Sequence, residues 1–534
     1  MGAFLFPKTK GDECMRILLE ASNIKQFAKE RELLNIEQLH IYKNEKIGLV
    51  GENGSGKSTL LNILSKNNVP EEGLVTHFTN CQLIPQLKKS IGHKSGGEVT
   101  QIYIQQVLKD NPELLLADEP TTNLDQQHIE LLENDMKNWQ GAFIVVSHDR
   151  AFLDAVCTTI WELKAGGISV YKGNYSQYAE AKKLEKHQEE AAYEQYISEK
   201  KQLEKAMKTK EERAERAAKT PKNRTSSEAR ASASAPYYAN KQKKLRKTAK
   251  ALESRMNRLE VVEKSRELAP IKMSLVNAEQ IKNRVILRIE KLKGNVKSRA
   301  LWNEATLQVN AGEKVAIIGE NGVGKTTFLK KLMNNEAGVT FTPAAKIGYF
   351  SQNLDILDIE KTILENVQLT SSQDETMIRT VLARMHFTKE DVHKEVKVLS
   401  GGERVKVALS KLFLSDVNTL ILDEPTNYLD IEAMEAFESL LVNYEGTILF
   451  VSHDRRFVEN VATQIMSIKN QQLALFKGNY EQFSAEKVAK PKGSEQEKMI
   501  IELKITEVLS KLSIEPTEAL EKEFQELLIT KRNL

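Results

Sequence analysis

The chain contains itself twice, and no other feature limits its fold as much. Gly51-Glu52-Asn53-Gly54-Ser55-Gly56-Lys57-Ser58-Thr59 returns as Gly319-Glu320-Asn321-Gly322-Val323-Gly324-Lys325-Thr326-Thr327. Ser95-Gly96-Gly97-Glu98 returns as Ser400-Gly401-Gly402-Glu403. Asp118-Glu119-Pro120-Thr121 returns as Asp423-Glu424-Pro425-Thr426, and each run ends at a Leu-Asp pair, on Asp125 and Asp430. Ser147-His148-Asp149-Arg150 matches Ser452-His453-Asp454-Arg455, and Lys172-Gly173-Asn174-Tyr175 matches Lys477-Gly478-Asn479-Tyr480. One order of motifs, met twice, specifies two copies of one domain. A length of 534 residues suits two domains with additional segments.

The copies are unequal. From Ser95 to Lys172 every motif lies 305 residues before its counterpart, yet the glycine loops are only 268 apart. The second copy therefore holds 37 more residues between its glycine loop and Ser400. The extra length falls between Gln352 and Ser400, whereas Gln86 and Ser95 are nine positions apart. The first domain is expected to have lost most of a subdomain there.

Glycines at these loop positions let backbone N–H groups close around phosphate oxygens. Each loop follows an apolar strand, Lys46–Val50 or Lys314–Ile318, and opens a helix, so that the helix N-terminus faces the anion. Lys57 and Lys325 are expected to reach the β- and γ-phosphates, and Ser58 and Thr326 to ligate Mg²⁺. Asp118 and Asp423 end apolar runs, which places a carboxylate at the C-terminal edge of a parallel sheet, where Mg²⁺ sits in such folds. Glu119 and Glu424 follow and are the candidates for polarising an attacking water. His148 and His453 come after buried strands and are the candidates for contacting the γ-phosphate. A surface ion pair for the acids and a structural role for the histidines are the bland alternatives. Recurrence at constant offset argues against both. The linker run Asn240-Lys241-Gln242-Lys243 lacks the acid of a guanine-reading motif, so ATP is expected rather than GTP.

Bulk properties remove other classes. No stretch approaches the ~18 to 20 apolar residues of a membrane helix. The most apolar runs, Gly141–Val146 and Thr447–Val451, read as buried parallel strands. No secretory leader is expected; the first strand pattern begins at Arg16, so Met15 is a candidate start and residues 1–14 an N-terminal extension. Cys14, Cys81 and Cys157 have neither metal spacing nor a disulfide framework, which fits a reducing cytoplasm.

Between the copies the sequence changes character. From about 182 to 264 it is charged, nearly free of Gly and heptad-like. Tyr193, Tyr196, Leu203 and Met207 form one stripe, and Leu245, Ala249, Leu252, Met256 and Leu259 form another. Pro221 and a Ser/Ala-rich run through Pro236 break the middle. The expectation is two long antiparallel helices, with arms of roughly 30 residues reaching about 45 Å. Between 208 and 250 there are 14 Lys or Arg against four Glu, although the whole chain carries only +3. Segregated positive charge suits a nucleic-acid backbone. Lys219, Lys222, Arg224, Arg230, Lys241, Lys243 and Lys244 are the candidate contacts, with Tyr237 and Tyr238 as stacking groups for unpaired bases. A solvated helix, with the tyrosines closing its tip, is the alternative. After about 489 helical periodicity resumes at Ile501, Ile505, Val508 and Leu512, breaks at Pro516, and continues through Leu520, Phe524 and Leu527, which suggests a second small hairpin.

The order glycine loop, SGGE, DEPT, SHD resembles the ATP-binding-cassette superfamily across both halves. The expected fold class is α/β, with two P-loop cassette domains joined by a long α-helical hairpin and followed by a C-terminal helical extension. The boundaries are an extension at 1–14, a first cassette at 15–181 with a reduced helical subdomain, a linker at 182–270, a second cassette at 283–488, and the extension at 489–534. The resemblance implies that Ser95-Gly96-Gly97-Glu98 and Ser400-Gly401-Gly402-Glu403 are signature motifs, each completing the site on the opposite glycine loop. It implies Q-loop roles toward Mg²⁺ and water for Gln86 and Gln352, and D-loop roles for Asp125 and Asp430. It assigns adenine stacking to Phe27, with no clear equivalent near Gly294–Lys297. Lys94 stands where the first signature usually has Leu, so the composite site using that signature is expected to be slower.

Two cassettes on one chain around a basic hairpin resemble the ABC-F translation factors, and within them the Vga-type antibiotic-resistance proteins. The resemblance implies a factor that enters the ribosomal E site of a 70S-type ribosome. It would contact rRNA, P-site tRNA and nearby ribosomal proteins, release lincosamides, pleuromutilins and streptogramin A, and leave upon ATP hydrolysis. It also implies a cytoplasmic monomer, without membrane, whose cassettes pair intramolecularly. A housekeeping translation factor and the ATPase subunit of a drug exporter are the alternatives.

Overall fold

The computed structural model describes residues 16–28, 31–86, 96–122, 124–218, 234–259, 284–296, 299–351, 354, 356–371, 373–387, 390–427, 429–489, 505, 508, 524 and 525. For residues 96–98, 217–218, 234–239, 241–242 and 487–489 the description is of backbone alone. The chain forms two compact units. One contains both cassettes, and the other is built from Val170–Ala269 with Cys157–Ile160.

The first cassette opens with β1 (Ile17–Ala28) and β2 (Arg31–Tyr42), then β3 (Lys46–Val50), α1 (Lys57–Leu64), β4 (Glu72–His77) and β5 (Cys81–Ile84). It continues with α2 (Gly96–Asp110), β6 (Leu114–Asp118), α3 (Gln126–Lys137), β7 (Ala142–Val146), α4 (Arg150–Val156), β8 (Thr159–Lys164) and β9 (Gly167–Lys172). A six-stranded sheet has the order β5-β6-β7-β3-β8-β9, and β5, β6, β7 and β3 run parallel. All five residues of β6 and of β7 are buried, which is why these strands read as unbroken apolar runs instead of alternating. Antiparallel β2-β1-β4 forms a second layer, and Leu49, Leu61, Ile144 and Trp161 lie in the core between the layers.

The linker unit contains α5 (Tyr175–Ala218) and α6 (Ser234–Met256), which pack on each other. Arg255 donates to Glu199 at 2.9 Å, and these residues lie at similar distances from the intervening segment, as an antiparallel hairpin requires. Leu203 and Ala249, one from each expected stripe, are buried, as are Tyr175 and Ala214. The first arm has 44 residues, about 66 Å at 1.5 Å per residue, which exceeds the roughly 30 expected. Pro236 does not break the second arm; it sits in the first turn of α6, where a missing N–H costs nothing. Lys219, Lys222, Arg224 and Arg230 lie outside the described residues, as do the side chains of Tyr237, Tyr238 and Lys241. Lys243 and Lys244 are exposed.

The second cassette repeats the first as β10 (Val285–Val296), β11 (Arg299–Asn310), β12 (Lys314–Gly319), α7 (Lys325–Met333), β13 (Val339–Phe341) and β14 (Ile347–Phe350). There follow α8 (Ile363–Gln368), α9 (Glu375–Arg384), α10 (Gly401–Leu414), β15 (Thr419–Asp423), α11 (Ile431–Val442), β16 (Thr447–Val451), α12 (Arg455–Val461), β17 (Gln464–Lys469), β18 (Gln472–Phe476) and α13 (Tyr480–Ala489). The sheet order β14-β15-β16-β12-β17-β18 mirrors the first. The additional residues build α8 and α9, where Ile363, Val367, Ile378 and Val381 join one core with Leu409 and Phe413 of α10. Asn366 is fully buried there: its Nδ2 donates to the carbonyls of Asp358 (2.8 Å) and Thr362 (3.1 Å), and its Oδ1 accepts from Asp358 N (2.9 Å).

Among the described residues no helix is long and apolar enough to cross a membrane. The extensions expected at 1–14 and over most of 489–534, with its hairpin, lie outside those residues.

Candidate functional site

The glycine loops are held by what their residues lack. Gly56 and Gly324 cap α1 and α7 with φ of 105° and 104°, in the left-handed region. A Cβ on Gly324 would lie 2.7 Å from Leu301 Cδ1 and 2.8 Å from Trp302 Cζ3. In each loop the lysine folds back on the carbonyls of the first two loop residues. Lys57 Nζ donates to Gly51 O (2.7 Å) and Glu52 O (2.9 Å), and Lys325 Nζ to Gly319 O (2.8 Å) and Glu320 O (3.1 Å). Burial pulls both lysines below their ordinary pKa, against the opposing charges of Glu119 on Lys57 and Glu424 on Lys325. Asp118 and Asp423 end β6 and β15 as expected, and Thr326 Oγ1 donates to Asp423 Oδ1 at 3.1 Å.

Glu119 and Glu424 sit on a left-handed backbone. Both are buried non-glycine residues at positive φ, 50° and 51°. Their amides donate to Val146 O (2.9 Å) and Val451 O (3.0 Å), which fixes the turn after the strand. Burial, reinforced by the charge of Asp118 and opposed by Lys57, pushes the Glu119 carboxyl up to about 8. Burial pushes Glu424 up to about 7, with Lys325 opposing. His148 Nε2 is 3.4 Å from Glu119 Oε1, and His453 Nε2 is 3.2 Å from Glu424 Oε1. Burial, with the charges of Lys57 and Lys325 respectively, pushes both imidazoles down to about 3. At neutral pH each pair is therefore a neutral imidazole beside an acid that titrates near neutrality. Thr121 Oγ1 and Thr426 Oγ1 hydrogen-bond Ser147 Oγ (2.9 Å) and Ser452 Oγ (3.0 Å), tying the two motifs of each half.

The halves face each other reciprocally. Asn53 N donates to Asp430 Oδ2 at 3.1 Å, and Asn321 N donates to Asp125 Oδ2 at 3.0 Å. Each glycine loop thus rests on the other half's D-loop aspartate. A cavity of about 1830 Å³ runs along this junction. Lys57, Ser58, Thr59, Gln86, Asp118, Glu119 and His148 line it together with Ser400, Gly402 and Glu403; Lys325, Thr326, Thr327, Glu424 and His453 line it together with Gln101, Asp125 and His128. Ser400 and Glu403 form a capping box on α10, with Glu403 Oε2 accepting from Ser400 N at 2.8 Å. Gln352, Ser95 and Lys94 lie outside the described residues, as do the side chains of Gly96, Gly97 and Glu98.

One expectation needs correction. Phe27 does not line the cavity; it is 39% exposed and its amide donates to Glu71 at 3.3 Å. The pairing of β1 with β2 is irregular between Gln26 and Phe27, and the next residue, Ala28, lines the cavity instead. Arg31 lines it too, and in the second half Val296 and Arg299 do the same. Ala28 to Val296 and Arg31 to Arg299 are each 268 residues apart, the offset of the glycine loops, so the repeat contained the signal. The interface arginines described in the Discussion were also missed; they followed the histidine motifs in plain view.

Residues 34–93 and 302–427 match the family model described as ABC transporter. The chain is 35% identical over 468 residues to the erythromycin resistance ATP-binding protein MsrA of Staphylococcus epidermidis, covering 82% of this chain and 95% of that one. This chain belongs to the ABC-F family of ATP-binding-cassette ATPases. It is also 28% identical over 487 residues to the ribosome protection protein VmlR of Bacillus subtilis, covering 85% of this chain and 87% of that one. A solved RNase-L inhibitor has the same tandem fold, with a TM-score of 0.58 at 18% identity over 88% of this chain and 92% of that chain. For an ABC-F protein the unequal cassettes are a variation within the fold, since both keep a six-stranded sheet of the same strand order behind the glycine loop.

Proposed function

We propose that this ABC-F chain is a ribosome-protection factor that binds two ATP molecules at composite sites and uses their hydrolysis to time its departure from the ribosome. One observation carries the reading: relatives named for erythromycin resistance and for ribosome protection align along 95% and 87% of their own lengths. The exposed Lys243 and Lys244 on α6, within a basic stretch, support contact with RNA phosphates. Rescue of stalled ribosomes without drug is the housekeeping alternative.

In the first composite site Lys57 exchanges its loop carbonyls for the β- and γ-phosphates, while Ser400 and Glu403 approach from the other half. Lys325 does the same opposite Ser95 and Glu98. The Asp423–Thr326 pair fits Mg²⁺, an ion that takes few protein oxygens and fills its remaining positions with phosphate and water. Asp118 and Ser58 are the matching pair, with Gln86 and Gln352 as further oxygen ligands. When bound, Mg²⁺ supplies charge neutralisation at the β- and γ-oxygens. Glu119 and Glu424, titrating near neutrality, orient the attacking water, and the neutral His148 and His453 hold the γ-phosphate. The basic linker, with Lys219 to Lys244 and the Tyr237–Tyr238 pair near its tip, approaches the P-site tRNA and peptidyl-transferase centre. Lincosamides, pleuromutilins and streptogramin A are the proposed displaced drugs, acting in the cytoplasm.

Co-sedimentation of the Glu119→Gln, Glu424→Gln double variant with 70S ribosomes in ATP tests the reading. Stable pelleting is expected, and free protein in the supernatant would refute both the protection and the housekeeping readings. Susceptibility of cells expressing the wild type to a lincosamide, a pleuromutilin, streptogramin A and erythromycin then separates those two.

A further inference from the structure

The aspartates on which the glycine loops rest are held by different side chains. Asp430, 3% exposed, accepts from Asn53 N and, at the same Oδ2, from Lys406 Nζ at 3.0 Å, while its Oδ1 caps α11 through Ala433 N at 2.9 Å. Lys406 is itself buried, and it lies one turn beyond Glu403 on α10, the helix that begins at Ser400. Burial alone would raise the Asp430 carboxyl, but Lys406 and the amides it accepts from bring it down to about 2. A continuous chain of contacts thus runs from the second cassette's signature helix, through Lys406 and Asp430, to the backbone of the first cassette's glycine loop.

The mirror site lacks this chain. The position 305 residues before Lys406 is Gln101, which lines the same cavity without a charge. Asp125 is held instead by its own helix: Oδ1 accepts from His128 N at 3.1 Å and lies 2.6 Å from His128 Nδ1. The position 305 residues after His128 is Ala433. The aspartate's side-chain partner has therefore changed from a buried lysine on the signature helix to a histidine, 35% exposed, on the D-loop's own helix. At that place the first signature helix carries the uncharged amide of Gln101.

We propose that Lys406 is a positioning residue that couples the second cassette's signature to the first cassette's glycine loop, so that the composite site on Lys57 hydrolyses ATP faster than the site on Lys325. This rests on the reading of two composite sites given above. Movement of α10 toward nucleotide carries Lys406, and Asp430 with it, against Asn53. In the second site the D-loop aspartate is tied to its own helix through His128, and the signature helix presents Gln101 at the place of Lys406.

The test uses the full-length chain and single-turnover hydrolysis of radiolabelled ATP. Glu424→Gln leaves the site on Lys57 to be read, and Glu119→Gln leaves the site on Lys325. Lys406→Gln, which gives α10 the residue found at Gln101, should slow the Glu424→Gln chain by tenfold or more and the Glu119→Gln chain by less than twofold. Lys406→Arg should restore most of the loss. His128→Ala should slow only the Glu119→Gln chain, by about threefold, and serves as the reading if Lys406→Gln melts at a lower temperature than its parent. Equal losses at both sites, or none, overturn the proposal while leaving two composite sites intact. If neither glutamate variant alone lowers turnover, the composite-site reading falls and Lys406 loses this role with it.

Discussion

Glu119 and Glu424 combine burial, a left-handed backbone and a displaced pKa, a set that stability alone disfavours and that marks residues kept for chemistry. The consequence is measurable without nucleotide. An isolated glutamate titrates at 4.5, and folded Glu119 at about 8. Between these values the native chain holds a proton that the unfolded chain has released, so stability falls as pH rises through that window. Glu119→Gln removes the titration. The variant should therefore melt above the wild type, by a margin that widens by several degrees from about pH 5 to about pH 8. For Glu424→Gln the widening should stop near pH 7, where that carboxyl titrates in the fold. Calorimetric scans of nucleotide-free protein across this range check both, and a margin that narrows with pH contradicts the assignment. Gly324 offers a second test at this scale. An alanine there meets Leu301 and Trp302 and must adopt φ near 104°, so Gly324→Ala should reduce the ATP bound per chain from two toward one in equilibrium dialysis.

At the scale of elements, the subdomain that distinguishes the second cassette depends on one buried amide. Asn366 joins the loop at Asp358 to the start of α8 through both ends of its side chain. Truncation leaves buried backbone groups without partners, so Asn366→Ala should destabilise the second cassette by about 2 kcal/mol, read as a lower urea midpoint. The first cassette, which has no such insertion, should unfold unchanged. The existence of this insertion was legible as a difference in repeat offset, because chain length has to go somewhere. The glycine loops, Asp118 and Asp423 were legible for a related reason: each is a contiguous segment whose own backbone sets the geometry. The two linker helices followed from a 3.5-residue apolar period, but the length of α5 did not, since nothing in a charged helix marks where it leaves the preceding strand. That Ala28 and Arg31 line the cavity and Phe27 does not could not be read from strand alternation, because the pairing is irregular between Gln26 and Phe27. Lys406 gave no signal at all. Its partner is 24 residues along the chain, and the repeat shows Gln101 at the corresponding place.

At the scale of the molecule, the junction between cassettes is anchored by two arginines that follow the histidine motifs, and they are unequal. Arg150 is buried and donates to both oxygens of Glu438, with Glu435 at 3.7 Å and Asp454 at 3.9 Å. Glu438 is steadied further by Asn460 Nδ2 at 3.0 Å. The pseudo-symmetric Arg455 meets Glu133 and Glu130, each at 3.3 Å; Arg455 is 19% exposed, and the two carboxylates are 10% and 51% exposed. A buried pair deprived of one partner leaves uncompensated charge, which costs about 3–5 kcal/mol, and the cost falls as the site admits water. Arg150→Ala should accordingly separate the cassettes, with loss of most ATP turnover and a lower unfolding midpoint, while Arg455→Ala should keep at least half of the turnover. Arg150→Ala combined with Glu438→Gln should recover part of the loss, because the orphaned charge is then gone. Steady-state ATPase assays and urea unfolding of the four proteins decide this. Equal damage from the two arginines would mean that the junction works as a symmetric clamp. Unequal damage would mean that one end stays shut while the other opens, and the timed departure proposed above would need such a fixed end against which to open.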